Sequence, residues 1–215
     1  MDKNRLAVEL FGRYAQRYQE KYMNQDRYQR SLDAFCDYEI LPSGSLLELG
    51  CGPGNVTQYI LDRLPGLELL ATDLAPEMLS LAQANNPSIQ TQLLDCREIS
   101  TLEKQFTGII AAFVLPYLSP KEAKAFINDA AVQLKPDGVL YFSMMSGSAS
   151  LSGWQGPSDG SADRLYMYYH EEKTLLNYLA EAELEVKYKE QLTIEPGQVE
   201  PYDLVLIAQR PLLLN

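Results

Sequence analysis

The sequence is poor in the residues that build disulfide-stabilised or membrane-anchored proteins. Its three cysteines, Cys36, Cys51 and Cys96, show neither CxxC spacing nor an even count. A disulfide framework and a metal site are therefore not expected, and a reducing cytoplasm fits this composition. The longest apolar run, GIIAAFVLPYL, is too short to cross a bilayer and contains Pro116. The N-terminal MDKNRLAVELFGRY lacks the apolar segment of a secretion signal.

Basic residues are also scarce. The chain has 18 Lys and Arg against 29 Asp and Glu, a formal net charge of -11. This charge would repel phosphate backbones and anionic lipid surfaces, so we expect neither nucleic acid nor membrane as a partner. At 215 residues and 46% hydrophobic composition, the sequence predicts one folded domain over residues 1–215.

Strand-like and helix-like segments alternate along most of the chain. The N-terminal periodicity predicts helices over residues 6–22 and 26–36. We interpret residues 1–40 as a helical cover laid over the sheet. Strands are then predicted in GSLLELG, LELLATD, SIQTQLLD, TGIIAAFVL and GVLYFSM, with helices in NVTQYILDRL, from Pro76 to Asn85, and in KEAKAFINDAAVQL. This order predicts an α/β, doubly wound, mostly parallel sheet with helices on both faces.

The pattern changes after the fifth predicted strand. Residues 146–164 are rich in Gly and Ser, and no regular element is predicted there. The longer segment 146–170 is interpreted as a lid or substrate loop, with an ordinary linker as the alternative; Trp154 either docks on something or packs on the surface. A helix is then predicted over residues 171–183, followed by strands in LEVKYKEQLTI and YDLVLIAQ that the turn EPGQ joins. These two strands complete a seven-stranded sheet, and their C-terminal hairpin includes one antiparallel strand.

The stretch LLELGCGPGN places three glycines directly after the first predicted strand. Glycine can take positive φ and lets a ligand approach the main chain closely. The glycines also precede a predicted helix, and open α/β sheets bind ligands at this position. The pattern is E-x-G-x-G-x-G: Asn55 replaces the third glycine of a dinucleotide fingerprint, and no Gly-Lys-Ser/Thr follows.

A second signal is Asp73, which ends the second predicted strand in ATDLAPEML. An acidic side chain there can accept hydrogen bonds from both ribose hydroxyls. At this point the chain resembles the class I S-adenosylmethionine-dependent methyltransferases. Four segments resemble family motifs in order: LLELGCGPG, ATDLAPEMLSLA, LLDC and LKPDGVLYFS.

The resemblance implies S-adenosylmethionine as cofactor and a Rossmann-like fold, and it implies roles for individual residues. The loop of Gly50, Cys51 and Gly52 would line the methionine part and Asp73 would hold the ribose. Leu74 and Met78 would pack near the adenine, Asp95 and the Cys96 main chain would contact its edge, and Phe113 would close the pocket floor.

Three of these residues have structural readings beside the functional ones. Cys51 can be a small filler between glycines, since no histidine base is near it in sequence. Glu48 either contacts the cofactor or ties down the loop. Asp95 can cap a turn.

Aromatic residues and one histidine complete the candidate site. Tyr14, Tyr18 and Tyr22 share a helical face, a pattern typical of core packing. Similar methyltransferases carry an N-terminal tyrosine arm over the cofactor, and by that analogy Tyr22, and next Tyr14, are candidates. His170, the only histidine, is the candidate catalytic proton acceptor, or an inert residue at a helix start.

The predicted function is methyl transfer from S-adenosylmethionine to an oxygen or nitrogen of a small molecule, by a cytoplasmic monomer or homodimer. Two alternatives stay open. One is a catalytically silent S-adenosylmethionine-binding protein, and the other is an NAD-linked oxidoreductase.

Overall fold

The structure, a computed structural model, describes residues 3–38, 41–156, 163–193, 197 and 199–212. The helices are α1 Lys3–Arg13, α2 Ala15–Tyr22, α3 Gln29–Cys36, α4 Asn55–Arg63, α5 Pro76–Asn85, α6 Pro120–Gln133 and α7 Glu172–Glu181. The strands are β1 Ser45–Leu49, β2 Glu68–Asp73, β3 Gln90–Leu93, β4 Phe106–Ala112, β5 Leu134–Ser146, β6 Gly153–Gln155, β7 Leu165–Met167, β8 Glu185–Thr193 and β9 Tyr202–Gln209. Short 3₁₀ turns occupy Asp26–Tyr28, Cys96–Thr101, Leu115–Tyr117 and Ala149–Leu151.

Seven strands form one sheet in the order β3-β2-β1-β4-β5-β9-β8. Strands β1 to β5 are parallel to their neighbours, and β9 runs antiparallel to both β5 and β8. The predicted doubly wound sheet with its antiparallel C-terminal hairpin is confirmed. The strand order reverses between β1 and β4, and in such sheets ligands bind beyond the carboxyl ends of the strands at this point.

Both faces of the sheet are covered, as expected of a parallel sheet. Adjacent residues of β1 point to opposite sides: Leu47 belongs to the core cluster that contains Phe126 of α6, whereas Leu46 belongs to the cluster that contains Phe35 of α3 and Ile60 of α4. The whole of β1 is buried, which fixes the position of the loop that follows it.

The N-terminal helix predicted over residues 6–22 is two helices. The chain leaves helical geometry at Tyr14, whose φ is -107°. α3 packs on the sheet as predicted. In contrast, Val8 and Phe11 of α1 pack with Met78 of α5, so α1 lies at the carboxyl end of the sheet.

The segment predicted to lack regular structure contains part of a small hairpin. β6 pairs antiparallel with β7, and Trp154 lies opposite Tyr166. The Gly and Ser content of residues 146–164 gave no strand pattern for β6. Its partner β7 begins just beyond that segment, so the pairing could not be predicted. Residues 157–162 lie outside the described part of the chain, as does most of the turn predicted at EPGQ.

The helix predicted over residues 171–183 ends at Glu181. Glu183 has a φ of 57°, the left-handed conformation usually taken by glycine, and the Leu184 N–H donates to the Leu179 carbonyl at 2.9 Å. Glu183 therefore forms the turn that ends α7, a position where glycine is more usual. Among the described residues, no helix combines the length and apolarity needed to cross a membrane.

Candidate active site

The glycine loop lies between β1 and α4, and its glycines all have positive φ. The φ angles of Gly50 and Gly54 are 65° and 81°. A Cβ on Gly50 would lie 2.6 Å from Cγ2 of Val114, and one on Gly54 would lie 2.5 Å from Nδ2 of Asn86. These two glycines are needed because the loop turns tightly against its neighbours.

Gly52 is needed for a different reason. Its φ is 54°, but a Cβ there would meet only Cε1 of Tyr18, at 3.8 Å. Both residues line a cavity at the carboxyl edge of the sheet. Gly52 therefore leaves its main chain open to the cavity, as the sequence analysis predicted for this loop.

Asp73 is fixed beside this open main chain. Its Oδ2 accepts a hydrogen bond from the Gly52 N–H at 2.9 Å, and its Oδ1 accepts from the Ala75 N–H at 2.9 Å. Burial raises the pKa of the Asp73 carboxyl, and these backbone donors act against the rise. A carboxylate has about four lone-pair sites, so both oxygens keep acceptor capacity towards the cavity.

The cavity has an empty volume of about 870 Å³, which includes open solvent at its mouth. It brings together eight of the predicted residues: Gly50, Gly52, Asp73, Leu74, Met78, Asp95, Cys96 and Phe113. The residues that the sequence analysis missed are Asn4, Ala7, Val8, Phe11, Tyr18, Leu94, Ala112, Val114, Tyr117 and Leu118.

Phe113 directly follows β4 and has a φ of 56°, which is rare for a bulky residue. Its N–H donates to the Ser143 carbonyl at 2.8 Å, and its ring packs edge-on against Tyr28 with centroids 5.3 Å apart. Such local strain clusters at functional sites. Phe113, predicted to close the pocket floor, is among the residues that line the cavity.

Asp95 lines the cavity and also caps the 3₁₀ turn that follows it. Its carboxylate accepts from the Arg97 backbone N–H at 2.9 Å and from the Arg97 guanidinium at 2.6 Å. Burial raises the pKa of Asp95, but the hydrogen bonds from Arg97 outweigh it and hold the pKa below its usual value. Asp95 thus both lines the cavity and caps a turn, and its carboxyl group stays ionised.

The two tyrosines predicted to cover the cofactor do not line the cavity. Tyr14 is 38% exposed and its hydroxyl donates to Oδ2 of Asp163 at 2.6 Å. Tyr22 is 41% exposed and packs against the ring of Tyr18, with centroids 4.5 Å apart. The break in the helix at Tyr14 turns Tyr18 towards the cavity instead. A helical wheel drawn through residues 6–22 could not show this, because it assumed one continuous helix.

Glu48, in β1, and Cys51, within the glycine loop, do not line the cavity. The Thr57 hydroxyl donates to Oε2 of Glu48, and burial raises the pKa of this carboxyl to about 8. The Cys51 N–H donates to the Thr72 carbonyl at 2.9 Å, and burial raises the pKa of its thiol. These contacts favour the structural reading of both residues: Glu48 ties the loop to α4, and Cys51 fills space.

His170 is also away from the cavity and only 3% exposed. Its Nε2 lies 3.2 Å and 3.0 Å from the carbonyl oxygens of Leu115 and Leu118, and its own carbonyl accepts from the Ser146 hydroxyl at 2.8 Å. Burial lowers the pKa of the imidazole. His170 therefore anchors the end of the 146–170 segment. It does not line the cavity, and its catalytic role stays a prediction that this geometry does not support.

Comparison with known proteins bears on the family. Residues 46–138 match a family model described as a methyltransferase domain. Together with the relatives and solved structures below, this match supports a class I S-adenosylmethionine-dependent methyltransferase. A relative from Acetivibrio thermocellus, named malonyl-[acyl-carrier protein] O-methyltransferase, is 28% identical over 145 residues, covering 66% of this chain and 50% of the relative. A trans-aconitate 2-methyltransferase from Rhizobium meliloti is 31% identical over 117 residues, covering 54% and 38%. The methyltransferase chain thus spans half or less of the length of these two relatives.

Solved structures support the methyltransferase fold along nearly the whole chain. Magnesium protoporphyrin IX methyltransferase (ChlM) from Synechocystis PCC 6803 with bound SAH gives a TM-score of 0.72 at 16% identity and covers 98% of this chain and 100% of that one. The DhpI-SAH complex gives 0.70 at 18% identity and covers 98% of each. The Rossmann-like methyltransferase fold is therefore confirmed.

Proposed function

We propose that the protein transfers a methyl group from S-adenosylmethionine to an oxygen or nitrogen of a small-molecule acceptor. The observation that supports this best is the pairing of the Asp73 carboxylate with the open main chain of Gly52 at one cavity wall. A carboxylate at this position suits a ribose diol, and a bare main chain suits a bulky ligand without phosphates.

The residues present fit the cofactor. Asp73 would accept hydrogen bonds from the ribose, and Gly50 and Gly52 would face the methionine part. Leu74, Met78 and Leu94 supply apolar surface for an adenine ring. The cavity carries carboxylates and no basic side chain among its described lining residues, which suits the positive charge of a sulfonium.

The cofactor supplies an electrophilic methyl group whose leaving group departs as a neutral thioether. What remains for the protein is to align the acceptor and to exclude water. Val8 and Phe11 of α1 cover the cavity with apolar surface that excludes water. With His170 outside the cavity, no imidazole base takes part.

The expectations of a cytoplasmic enzyme, monomeric or homodimeric, without nucleic-acid or membrane partners, remain parts of this proposal. The single-domain organisation, with a helical cover and a lid over residues 146–170, is also part of this proposal. The silent binder and the NAD-linked oxidoreductase remain the alternatives to be tested.

Two measurements test the proposal. Isothermal titration with S-adenosylhomocysteine and with NAD should show binding of the first and not of the second. Binding of NAD alone would favour the oxidoreductase. Turnover of methyl-labelled S-adenosylmethionine against a metabolite extract should then label a small molecule, whereas tight cofactor binding without any labelled product would favour the silent binder.

A further inference from the structure

The charge of the cavity wall constrains the acceptor. Asp73 and Asp95 both line the cavity. All 18 Lys and Arg residues of the sequence lie within the described part of the chain, and none of them lines it. The protein therefore offers an anionic acceptor carboxylates and no cationic side chain in this cavity.

Two basic residues that are next in sequence to lining residues, Arg97 and Lys3, are engaged elsewhere. Nη2 of Arg97 lies 2.6 Å from Asp95 and its Nη1 lies 2.9 Å from Glu122. Nζ of Lys3 lies 3.2 Å from the centroid of the Tyr166 ring. Recruiting Arg97 for a carboxylate ligand would leave two partly buried carboxylates without their partner, which is costly.

Two phenols face the same space. Tyr18 from α2 and Tyr117 from the turn after β4 line the cavity, and Phe11 packs edge-on against both, with centroid distances of 5.8 Å and 5.4 Å. Neither hydroxyl hydrogen-bonds another described residue. Burial raises the pKa of Tyr18 to about 12 and also raises that of Tyr117. Neutral aromatic rings of this kind attract organic cations.

We propose that the acceptor is an amine, methylated on nitrogen, and not a carboxylate. This rests on the proposed function. The amine reacts in its neutral form, so a protonated amine first gives its proton to water. The nitrogen lone pair then forms the new N–C bond while the S–C bond breaks with its electron pair staying on sulfur, so the positive charge passes from sulfur to nitrogen.

The charges of this methyl-transfer step suit the carboxylates and aromatic rings that line the cavity. With an amine acceptor, the ligands carry one positive charge before and after transfer, next to carboxylates and aromatic rings throughout. With a carboxylate acceptor, a negatively charged ligand would enter a cavity whose described lining residues supply carboxylates and no cationic side chain. A hydroxyl acceptor would have to lose a proton during transfer, and the only imidazole, on His170, lies outside the cavity. The carboxylate-bearing molecules named for the two relatives therefore do not suit this chain.

A binding experiment separates this inference from the proposed function. The protein is first saturated with S-adenosylhomocysteine, and failure of that step would count against the proposed function itself. Benzyltrimethylammonium and phenylacetate, which share a ring and differ in charge, are then titrated into the loaded protein. The ammonium ion should bind roughly tenfold tighter or more. Equal or tighter binding of phenylacetate, or no binding of the ammonium ion in the millimolar range, would overturn the inference.

Variants locate the effect. Tyr117→Leu should weaken benzyltrimethylammonium binding roughly three- to tenfold, and Tyr117→Phe, which keeps the ring, should retain most of it. Tyr188→Leu, on β8 at the far edge of the sheet, is the matched control and should change nothing. Tyr18→Leu provides an independent test if Tyr117→Leu does not fold. Unchanged ammonium binding in both cavity variants would contradict the role of the phenols.

Discussion

The two sides of the cavity differ in how they are built. The sheet side consists of loops that follow β1, β2 and β4, where Gly52, Asp73 and Phe113 are held by backbone hydrogen bonds and by strained main-chain angles. The covering side consists of α1, α2 and the turn after β4, which meet the cavity mainly through side chains such as Phe11 and Tyr117. The first side is fixed by local chain geometry, and the second by packing between distant segments.

The largest expected effect tests the local side. Gly54→Ala should lower the free energy of unfolding by about 2–4 kcal/mol, because it combines left-handed strain with overlap against Asn86 and Ala82. Gly66→Ala is the matched control: its φ is 91°, but a Cβ there meets nothing within 4 Å. It should lose only the strain, about 1–2 kcal/mol. Urea denaturation of both variants measures the difference, and equal losses would show that the overlap is relieved.

The next effect concerns the covering side. His170→Ala should cost about 1–3 kcal/mol of stability, because the Leu115 and Leu118 carbonyls lose their partner. The folded state favours the neutral ring, so this contribution is present above the ordinary pKa of 6.5 and is lost as the pH falls. Methyl transfer should keep its pH profile in this variant. A profile that loses its acidic limb, the fall in rate at low pH that a protonated base causes, would restore His170 as a proton acceptor.

A third prediction uses Glu48, in β1. Its pKa rises from 4.5 to about 8 on folding, so the folded state favours the protonated form. The resulting stability is complete below pH 4.5 and is lost as the pH rises towards 8, by at most about 1.4 kcal/mol per pH unit. Glu48→Gln should remove this slope.

Melting temperatures of the parent and Glu48→Gln, measured from pH 5 to above 8, give the comparison. The difference between the two proteins cancels the other titrating groups, including Asp73. The variant should become the more stable of the two at the alkaline end. A difference that does not change with pH would mean that Glu48 is ionised in the fold.

The smallest effect concerns the contact between α1 and the 146–170 segment. Asp163 accepts from the Tyr14 hydroxyl at 2.6 Å and lies 3.4 Å from Nη1 of Arg13, but these groups are largely exposed. Asp163→Ala should therefore speed the dissociation of S-adenosylhomocysteine by no more than about threefold. Stopped-flow measurement would detect this, with exposed Asp62→Ala as the control. A much larger change would show that this contact holds the cover closed.

The contrast also explains what could be predicted from the sequence. The fold class follows from hydrophobic alternation. The eight predicted cavity residues follow from local motifs, such as a glycine that needs positive φ, and from the family resemblance that these motifs carry. The cover could not be predicted in the same way. Tyr18 lines the cavity and Tyr14 does not because the helix breaks between α1 and α2, and no residue type at Tyr14 signals that break. Tyr117 lies in an apolar run that continues β4, so periodicity assigned it to no site.

The central claim is that the Asp73 carboxylate, held against the Gly52 main chain, grips the ribose of the cofactor. The direct test is the affinity for S-adenosylhomocysteine of the parent, Asp73→Ala and the control Asp62→Ala, with melting temperatures to confirm folding. Asp73→Ala should bind between about fivefold and about a hundredfold more weakly than the parent, and Asp62→Ala should bind equally well. A folded Asp73→Ala protein with the affinity of the parent would contradict the account.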